Sequence, residues 1–219
     1  MEETVFVSAA VAKNIRNAVV FSLMLDYYYS ESCEQNKKPI LSILKKYLHT
    51  KRHLLEIGSG TGQHAAYFGS KFASLTWQTS DKVENHAGIK AWINHANTDN
   101  ILLPIKLDVS NDVWPKKYYD VVFSANTAHI MSVDNVVDMF SGISEILIKN
   151  NEFLLYGPFN INGKFTAKSN EEFDESLRMR DSSMGVRDIS WLQDVAYENN
   201  IILDDRFDMP ADNMILVWK

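Results

Sequence analysis

The segment Leu55-Glu56-Ile57-Gly58-Ser59-Gly60-Thr61-Gly62 gives the strongest indication of the fold of this 219-residue chain. Apolar residues before the first glycine predict a buried strand, and the glycines predict a turn that leads into a helix. Glycine allows positive φ and lets a ligand come close to the backbone. The free N–H groups of the following helix face the same crevice. We therefore expect a ligand here, held by Glu56, Gly58, Ser59, Gly60 and Gly62. A glycine-rich turn without a ligand is the alternative.

The residues after the loop separate two classes of nucleotide site. A dinucleotide fingerprint, G-x-G-x-x-G, requires glycine where this chain has Gln63. A phosphate-binding P-loop requires Lys-Ser/Thr after its last glycine, and Gln63-His64 follows instead. Glu56 would repel a pyrophosphate but attract an ammonium group. These features favour a cofactor that has an amino-acid moiety and no phosphate.

Strands and helices alternate around this loop. Such alternation predicts right-handed crossovers and a parallel sheet. Two final strands are too close in sequence for a crossover helix and predict an antiparallel hairpin. The expected fold is doubly wound α/β and Rossmann-like, with a mostly parallel seven-stranded sheet. The predicted strands are His53–Ile57, Leu75–Thr79, Ile101–Leu107, Tyr119–Ala125, Phe153–Tyr156, Ile201–Phe207 and Met214–Trp218; the predicted helices include Asn36–Thr50, Val83–Ala96 and Val133–Lys149.

Two aspartates follow successive predicted strands. Asp81 ends the second strand, about 20 residues beyond the loop, where an acidic side chain reaches ribose hydroxyls. Asp108 ends the third strand and is placed to accept from an adenine amino group. Each could instead be a helix cap or turn residue. Their occurrence at two successive strand ends favours ligand binding for both.

These motifs resemble the cofactor motifs of class I methyltransferases, and longer stretches resemble the domain-of-unknown-function family 938. The resemblance implies S-adenosylmethionine as cofactor, a class I methyltransferase fold, and methyl transfer to an unidentified small-molecule or protein acceptor. Two positions depart from the family pattern: Gln35 replaces an arginine, and Asn150-Asn151 replaces a glycine-rich turn. The stretches that carry the resemblance are Asn36–Leu41, Gly58–His64, Trp77–Asp81, Tyr156–Phe159, Ser169–Asn170, Phe173–Asp174, Ser176–Arg178, Arg180–Asp181 and Gly185–Asp188.

Residues after the fourth and fifth strands are candidates for the reaction centre. Asn126 and His129 follow the fourth strand, and Tyr156 ends the fifth. Asn126 is also a candidate cofactor contact. Imidazole titrates near neutral pH, which makes His129 the candidate general base. A structurally hydrogen-bonded histidine is the alternative, and alignment alone could also drive methyl transfer without a base.

Two further segments flank the predicted core of the domain. Residues 157–188 are polar and too long for a simple connection, so we expect a mobile substrate cap over the crevice. In that case Arg178, Arg180 or Arg187 would meet an acidic acceptor; a solvated helix with internal ion pairs is the alternative. We expect residues 1–30 to be a helical extension of a methyltransferase domain at 31–219. Its predicted helix, Ser8–Tyr29, could pack on the core, act as a lid or contact another copy.

Composition limits the remaining possibilities. A net charge of −6 without a dense basic run disfavours nucleic acid as a partner. A single cysteine, Cys33, fits a reducing compartment, and we expect a cytoplasmic monomer or homodimer with no membrane span. The histidines have no metal-ligand spacing, so no metal is expected. Two rival functions stay open: an inactive cofactor-binding module and a nicotinamide-dependent oxidoreductase.

Overall fold

A computed structural model describes residues 28–219, so nearly all of the predicted helix Ser8–Tyr29 lies outside the described residues. Helices alternate with strands through most of this range. The helices are α1 (Glu31–Tyr47), α2 (Gln63–Gly69), α3 (His86–Ala96), α4 (Val133–Ile146), α5 (Lys168–Arg180) and α6 (Ile189–Glu198), with a 3-10 turn at Val83–Asn85. The strands are β1 (His53–Ile57), β2 (Thr76–Asp81), β3 (Ile101–Lys106), β4 (Tyr119–Ala125), β5 (Leu147–Asn160), β6 (Arg187–Asp188), β7 (Leu203–Met209) and β8 (Asn213–Trp218).

The predicted doubly wound sheet is confirmed. Seven strands lie in the order β3-β2-β1-β4-β5-β8-β7, and the short β6 pairs with β5 off this path. Strands β1 to β5 run parallel, whereas β8 lies antiparallel between β5 and β7. The carboxyl ends of the parallel strands therefore meet at one edge, where ligands bind in open α/β sheets.

Hydrophobic side chains fill both faces of the sheet. Alternate residues of a strand point to opposite faces, so Leu54 and Leu55 belong to different clusters. One cluster packs α1, α2 and α3 against the sheet, and the other packs α4 and α6. The crevice edge is thus held between two buried layers. Within residues 28–219, no helix has the length and apolarity needed to cross a bilayer.

Several elements differ from the sequence prediction, most of all α1, β5 and α6. Helix α1 begins five residues earlier than expected, because Ser30 caps it by accepting a hydrogen bond from the Cys33 N–H (3.4 Å). Pro39 consequently lies inside α1 instead of in its first turn. Strand β5 begins at Leu147, and the expected turn survives only as Asn150 in the left-handed conformation (φ 63°). Helix α6 was not predicted.

Candidate active site

A cavity of about 1210 Å³ opens at the carboxyl edge of the sheet. Pockets for a single small molecule commonly enclose about 300–1,000 Å³, so this one has room for a cofactor and a small acceptor together. We divide the cavity into two parts. The donor half is lined by Ser59, Gly60, Asp81 and Asp108. The acceptor half is lined by His129, Tyr156, Asn170, Phe173, Asp181 and Asp212.

The glycine loop forms the floor of the donor half. Gly58 and Gly60 both have positive φ (68° and 57°), a conformation that costs other residues about 1–2 kcal/mol. A Cβ atom at Gly58 would lie 2.5 Å from Thr127 Cγ2, so the loop needs glycine there to pack on the segment after β4. A Cβ at Gly60 would meet no protein atom within 4 Å. The backbone of Gly60 is therefore open to a ligand in the cavity.

The end of the glycine loop is held by protein contacts and does not face the cavity. Gly62 (φ 92°) does not line the cavity, and a Cβ there would lie 2.7 Å from Ile89 Cα. The Gln63 amide pairs with the backbone of Ser30: its Nε2 donates to the Ser30 carbonyl (3.3 Å), and its Oε1 accepts from the Ser30 N–H. The residue that breaks the dinucleotide fingerprint thus ties the chain before α1 to the loop.

Asp81 joins β2 to the glycine loop. Its Oδ2 accepts from the Gly60 N–H (2.7 Å), and its Oδ1 accepts from the Lys82 N–H (2.7 Å) and Asn85 Nδ2 (2.8 Å). A carboxylate has about four acceptor positions. Three are used within the protein, so one is left for a hydroxyl in the cavity, as the sequence prediction requires.

Asp108 lies two residues beyond β3, beside the end of β2. Its carboxylate pairs with Lys82 Nζ (3.1 Å) and accepts from the Ser110 N–H (3.2 Å). Partial burial disfavours its charged form, but the bonds from Lys82 and Ser110 outweigh burial and lower the pKa of Asp108. The side chain is therefore an ionised acceptor beside the cavity.

Glu56 lies beneath the loop and does not line the cavity. Its Oε2 accepts from Ser59 Oγ (2.8 Å) and from the Trp77 indole N–H (3.1 Å). Burial raises the pKa of Glu56 to about 7, although both hydrogen bonds favour the carboxylate. The structure thus places Glu56 behind Ser59, and contact with a ligand ammonium would require the loop to move.

A chain of three buried polar side chains supports the wall at Tyr156. The ring Nε2 of His64 donates to Asn36 Oδ1 (2.7 Å), and the Asn36 side chain lies near the Tyr156 hydroxyl. Burial raises the pKa of Tyr156 to about 12, although the nearby Asn36 side chain acts in the opposite direction, so the phenol keeps its proton. Burial lowers the pKa of His64 to about 4.

Sequence reasoning assigned no role to Asn36 or His64. A signal was present, since Asn36 lies on the buried stripe of α1 with Ile40, Ile43 and Leu44. A polar residue on such a stripe requires a hydrogen-bond partner.

The segment after β4 carries the other predicted reaction-centre residues. Asn126 adopts positive φ (60°), its N–H donates to the Tyr156 carbonyl (2.9 Å), and it lines the cavity. His129 lines the cavity with only 7% of its surface exposed. Within the described chain, its ring makes no hydrogen bond and packs edge-on against Phe173, at 5.2 Å between centroids. Burial, followed by the charges of Arg187 and Arg180, lowers its pKa to about 4.

Residues 157–188 lie beside the acceptor half as the end of β5, helix α5 and strand β6. Phe173 and Asn170 of α5 line the cavity. Arg187 is 6% exposed, and its guanidinium donates to the carbonyls of Ala128 (3.1 Å), Met131 and Ser183 (2.8 Å). Arg178 pairs with Asp174 (2.7 Å), and none of the three arginines lines the cavity. Arg178 therefore fits the alternative prediction of a solvated helix with internal ion pairs. Arg187 instead connects residues 157–188 to the segment after β4 by hydrogen bonds.

Metal-ligating residues do not converge in the part of the chain that the structure describes. No group of three or more histidine, cysteine or carboxylate side chains has a metal-binding arrangement between residues 28 and 219. One of the histidines weighed from sequence, His86, instead contacts the Asp81 carbonyl through its Nε2 (3.0 Å).

Comparison with solved structures supports the fold assignment. The crystal structure of TnmH superposes with a TM-score of 0.73 at 16% identity, covering 95% of this chain and 59% of that one. The mitomycin 7-O-methyltransferase MmcR gives 0.72 at 14% identity, with 84% and 53% covered. Human N-acetylserotonin methyltransferase in complex with SAM gives 0.71 at 13%, with 91% and 55% covered. The fold is that of class I methyltransferases, and this chain spans a little over half the length of these proteins.

A family model gives the closer assignment. The model described as protein of unknown function (DUF938) matches residues 27–219, which include the sheet, the glycine loop and the whole cavity wall. The chain belongs to the DUF938 family.

Proposed function

We propose that this protein is an S-adenosylmethionine-dependent methyltransferase. The observation that carries the proposal is the donor half. There, the open backbone of Gly60 lies next to Asp81, and Asp108 follows on the far side of Asp81; both carboxylates keep free acceptor positions. Two such acceptors beside an open backbone match a nucleoside with ribose hydroxyls and an exocyclic amine. When bound, S-adenosylmethionine supplies a methyl group attached to a sulfonium.

We assign the donor half by residue. Ser59 and Gly60 contact the amino-acid portion, Asp81 accepts from the ribose and Asp108 from the adenine. Glu56 and Gly62 shape the loop from behind, because neither lines the cavity. Direct contact of Glu56 and Gly62 with the cofactor stays a prediction that requires movement of the loop.

The acceptor half positions the nucleophile. His129 is neutral at physiological pH and has an unused ring nitrogen facing the cavity. It would therefore accept a hydrogen bond from an acceptor O–H or N–H, and would take the proton while the methyl group passes from sulfur to that oxygen or nitrogen. The sequence prediction of a base that titrates near neutral pH does not hold, because burial lowers the pKa of His129 to about 4. The attacking O–H or N–H becomes strongly acidic as its bond to the methyl group forms, so this weakly basic imidazole can still accept the proton. Tyr156 and Asn126 border the same space and orient the acceptor by hydrogen bonding.

Residues 157–188 complete the proposed site as a cap. Phe173 shields His129 from water, and Arg187 couples the cap to the segment after β4. A cap that orders on ligand binding would exclude water during transfer. Amide hydrogen exchange tests this: cofactor and acceptor together should increase protection across 157–188. Unchanged protection would leave the segment as fixed scaffold.

Turnover separates the proposed enzyme from an inactive binding module. Protein incubated with methyl-labelled S-adenosylmethionine and a cell extract, split into metabolite and protein fractions, should transfer label to one fraction. A His129→Gln variant serves as the control, since it should bind the cofactor but transfer far less label. Cofactor binding with no transfer to either fraction would favour the inactive module. Tighter binding of NAD than of S-adenosylmethionine would favour the oxidoreductase.

A further inference from the structure

The charged side chains that line the acceptor half are all acidic. Asp181 follows α5 and Asp212 lies in the turn between β7 and β8, and both line the cavity at its rim. Hydrogen bonds from the Ser183 backbone and hydroxyl lower the pKa of Asp181. Lys82 also lines the cavity, but it belongs to the donor half, where it pairs with Asp108.

Three arginines of residues 157–188 lie near this space, but none lines the cavity. Arg187 donates to three backbone carbonyls, and Arg178 pairs with Asp174. Arg180 is exposed, and its charge acts on His129 without lining the cavity. Among the described residues, no lysine or arginine lines the acceptor half. The expectation that an arginine of residues 157–188 selects an anionic acceptor therefore has no support from the cavity wall.

A second observation marks this half as a ligand site. His129 is more than nine-tenths buried, its ring has no hydrogen-bond partner in the described chain, and it lines the cavity. Neither ring nitrogen is fully enclosed by protein, so the ring presents an unused hydrogen-bond acceptor to the cavity. A ligand O–H or N–H that enters the cavity would donate to this ring. Phe173, against the same ring, offers an apolar face to the body of such a ligand.

We infer that the acceptor is a small molecule with no net negative charge, holding a hydroxyl or amine at His129 and a neutral or cationic end toward Asp181 and Asp212. This inference rests on the proposed function, because it names the substrate class of that site. The two rim carboxylates attract a cationic end and repel a carboxylate or phosphate. Repulsion between like charges at a binding site lowers the affinity for an anionic ligand relative to a neutral or cationic one.

Three matched phenols test this charge preference. Tyramine, tyrosol and 3-(4-hydroxyphenyl)propionate share a phenol and carry a cationic, neutral or anionic tail. Their dissociation constants are measured by NMR titration at low salt, on protein with and without S-adenosylhomocysteine. Tyramine should bind about tenfold more tightly than the propionate, the size expected for two solvent-exposed charges. The preference should shrink at high salt, because exposed charges are screened.

Charge-neutral variants identify the source of the preference. The double variant Asp181→Asn/Asp212→Asn should bring tyramine and the propionate to within about twofold of each other. Asparagine keeps the size of each side chain and tolerates the positive φ of Asp212 (54°). The matched control is Glu171→Gln/Glu175→Gln, which removes two exposed charges of α5 that do not line the cavity and should keep the preference.

Several outcomes would overturn the inference: equal or tighter binding of the propionate, a preference that survives in the double variant, or no binding of any phenol. Failure of the proposed function is distinguishable, because it would appear as loss of S-adenosylmethionine binding. The charge order measured without cofactor does not depend on that result.

Discussion

The two halves of the cavity differ in how their polar groups are used. In the donor half, Asp81 fixes the glycine loop and Asp108 pairs with Lys82, so nearly every charge has a partner within the protein. In the acceptor half, the His129 ring has no partner within the described chain, and Asp212 lies at the rim. A preorganised donor half binds one constant ligand without rearrangement. The acceptor half keeps its hydrogen-bonding capacity for the proposed acceptor.

The largest effect should come from the acceptor half. Once an acceptor is known, His129→Gln should lower turnover by about 10²–10⁴-fold, because the side chain that takes the proton is lost. Affinity for S-adenosylmethionine should stay within about twofold of wild type, since His129 lies outside the donor half. Steady-state kinetics with parallel calorimetry measure both quantities. Turnover within a few-fold of wild type would make His129 structural.

Glu56 should produce the next largest effect, on stability. Its pKa is about 7 in the folded protein and about 4.5 when unfolded, so the folded state binds more protons between these values. Its contribution to the free energy of unfolding therefore falls as pH rises from about 4.5 to 7, by roughly 3 kcal/mol in total. Glu56→Gln cannot ionise and should gain about that much relative to wild type between pH 5 and pH 8.

Urea unfolding of both proteins at several pH values measures this difference. His64 and His129 have lowered pKa values, so their contributions rise with pH, but equally in both proteins. Glu171→Gln, at an exposed position, is the matched control and should change stability by at most about 0.5 kcal/mol. A pH-independent difference between wild type and Glu56→Gln would contradict a buried carboxyl with a raised pKa.

Arg187 should have a smaller effect, on the joint between the cap and the segment after β4. Replacing it with Met removes its hydrogen bonds to three carbonyls and should cost about 2–3 kcal/mol of unfolding free energy. Arg180→Met is the matched control: Arg180 is exposed, and its replacement should change stability by at most about 0.5 kcal/mol. Equal stability of the two variants in thermal or urea unfolding would remove Arg187 from this role.

The donor half could be predicted from sequence because its signal is local. A strand, a glycine loop and an aspartate at the next strand end lie within about 30 residues of chain, the length of one βαβ unit. The sheet followed from the same alternation. The glycine-loop unit and the strand–helix alternation indicate the same fold. For this reason the sequence predicts most strand ends to within a few residues.

The acceptor half could not be predicted in the same way, because distant segments build it. Asn36 on α1, Phe173 on α5 and Asp212 in the last hairpin meet only after folding. Arg187 donates to the Ala128 carbonyl, which is 59 residues away in sequence. The sequence alone does not indicate this partner, and it therefore suggested a ligand contact for Arg187. The predicted start of α1 is wrong for a local reason. Proline is common in the first turn of a helix, but Pro39 lies inside α1.

Calorimetric titration with S-adenosylmethionine measures whether the cavity binds this cofactor and whether Asp81 holds it. The wild-type protein should bind one equivalent, and Asp81→Ala should bind more weakly by about 1.5–3 kcal/mol, the range for a hydrogen bond to a charged group. Because Asp81 also holds the Gly60 N–H, thermal unfolding should verify that the variant is folded at the titration temperature. No heat of binding with wild type, or equal affinity in a folded Asp81→Ala variant, would contradict the assignment of this cavity to S-adenosylmethionine.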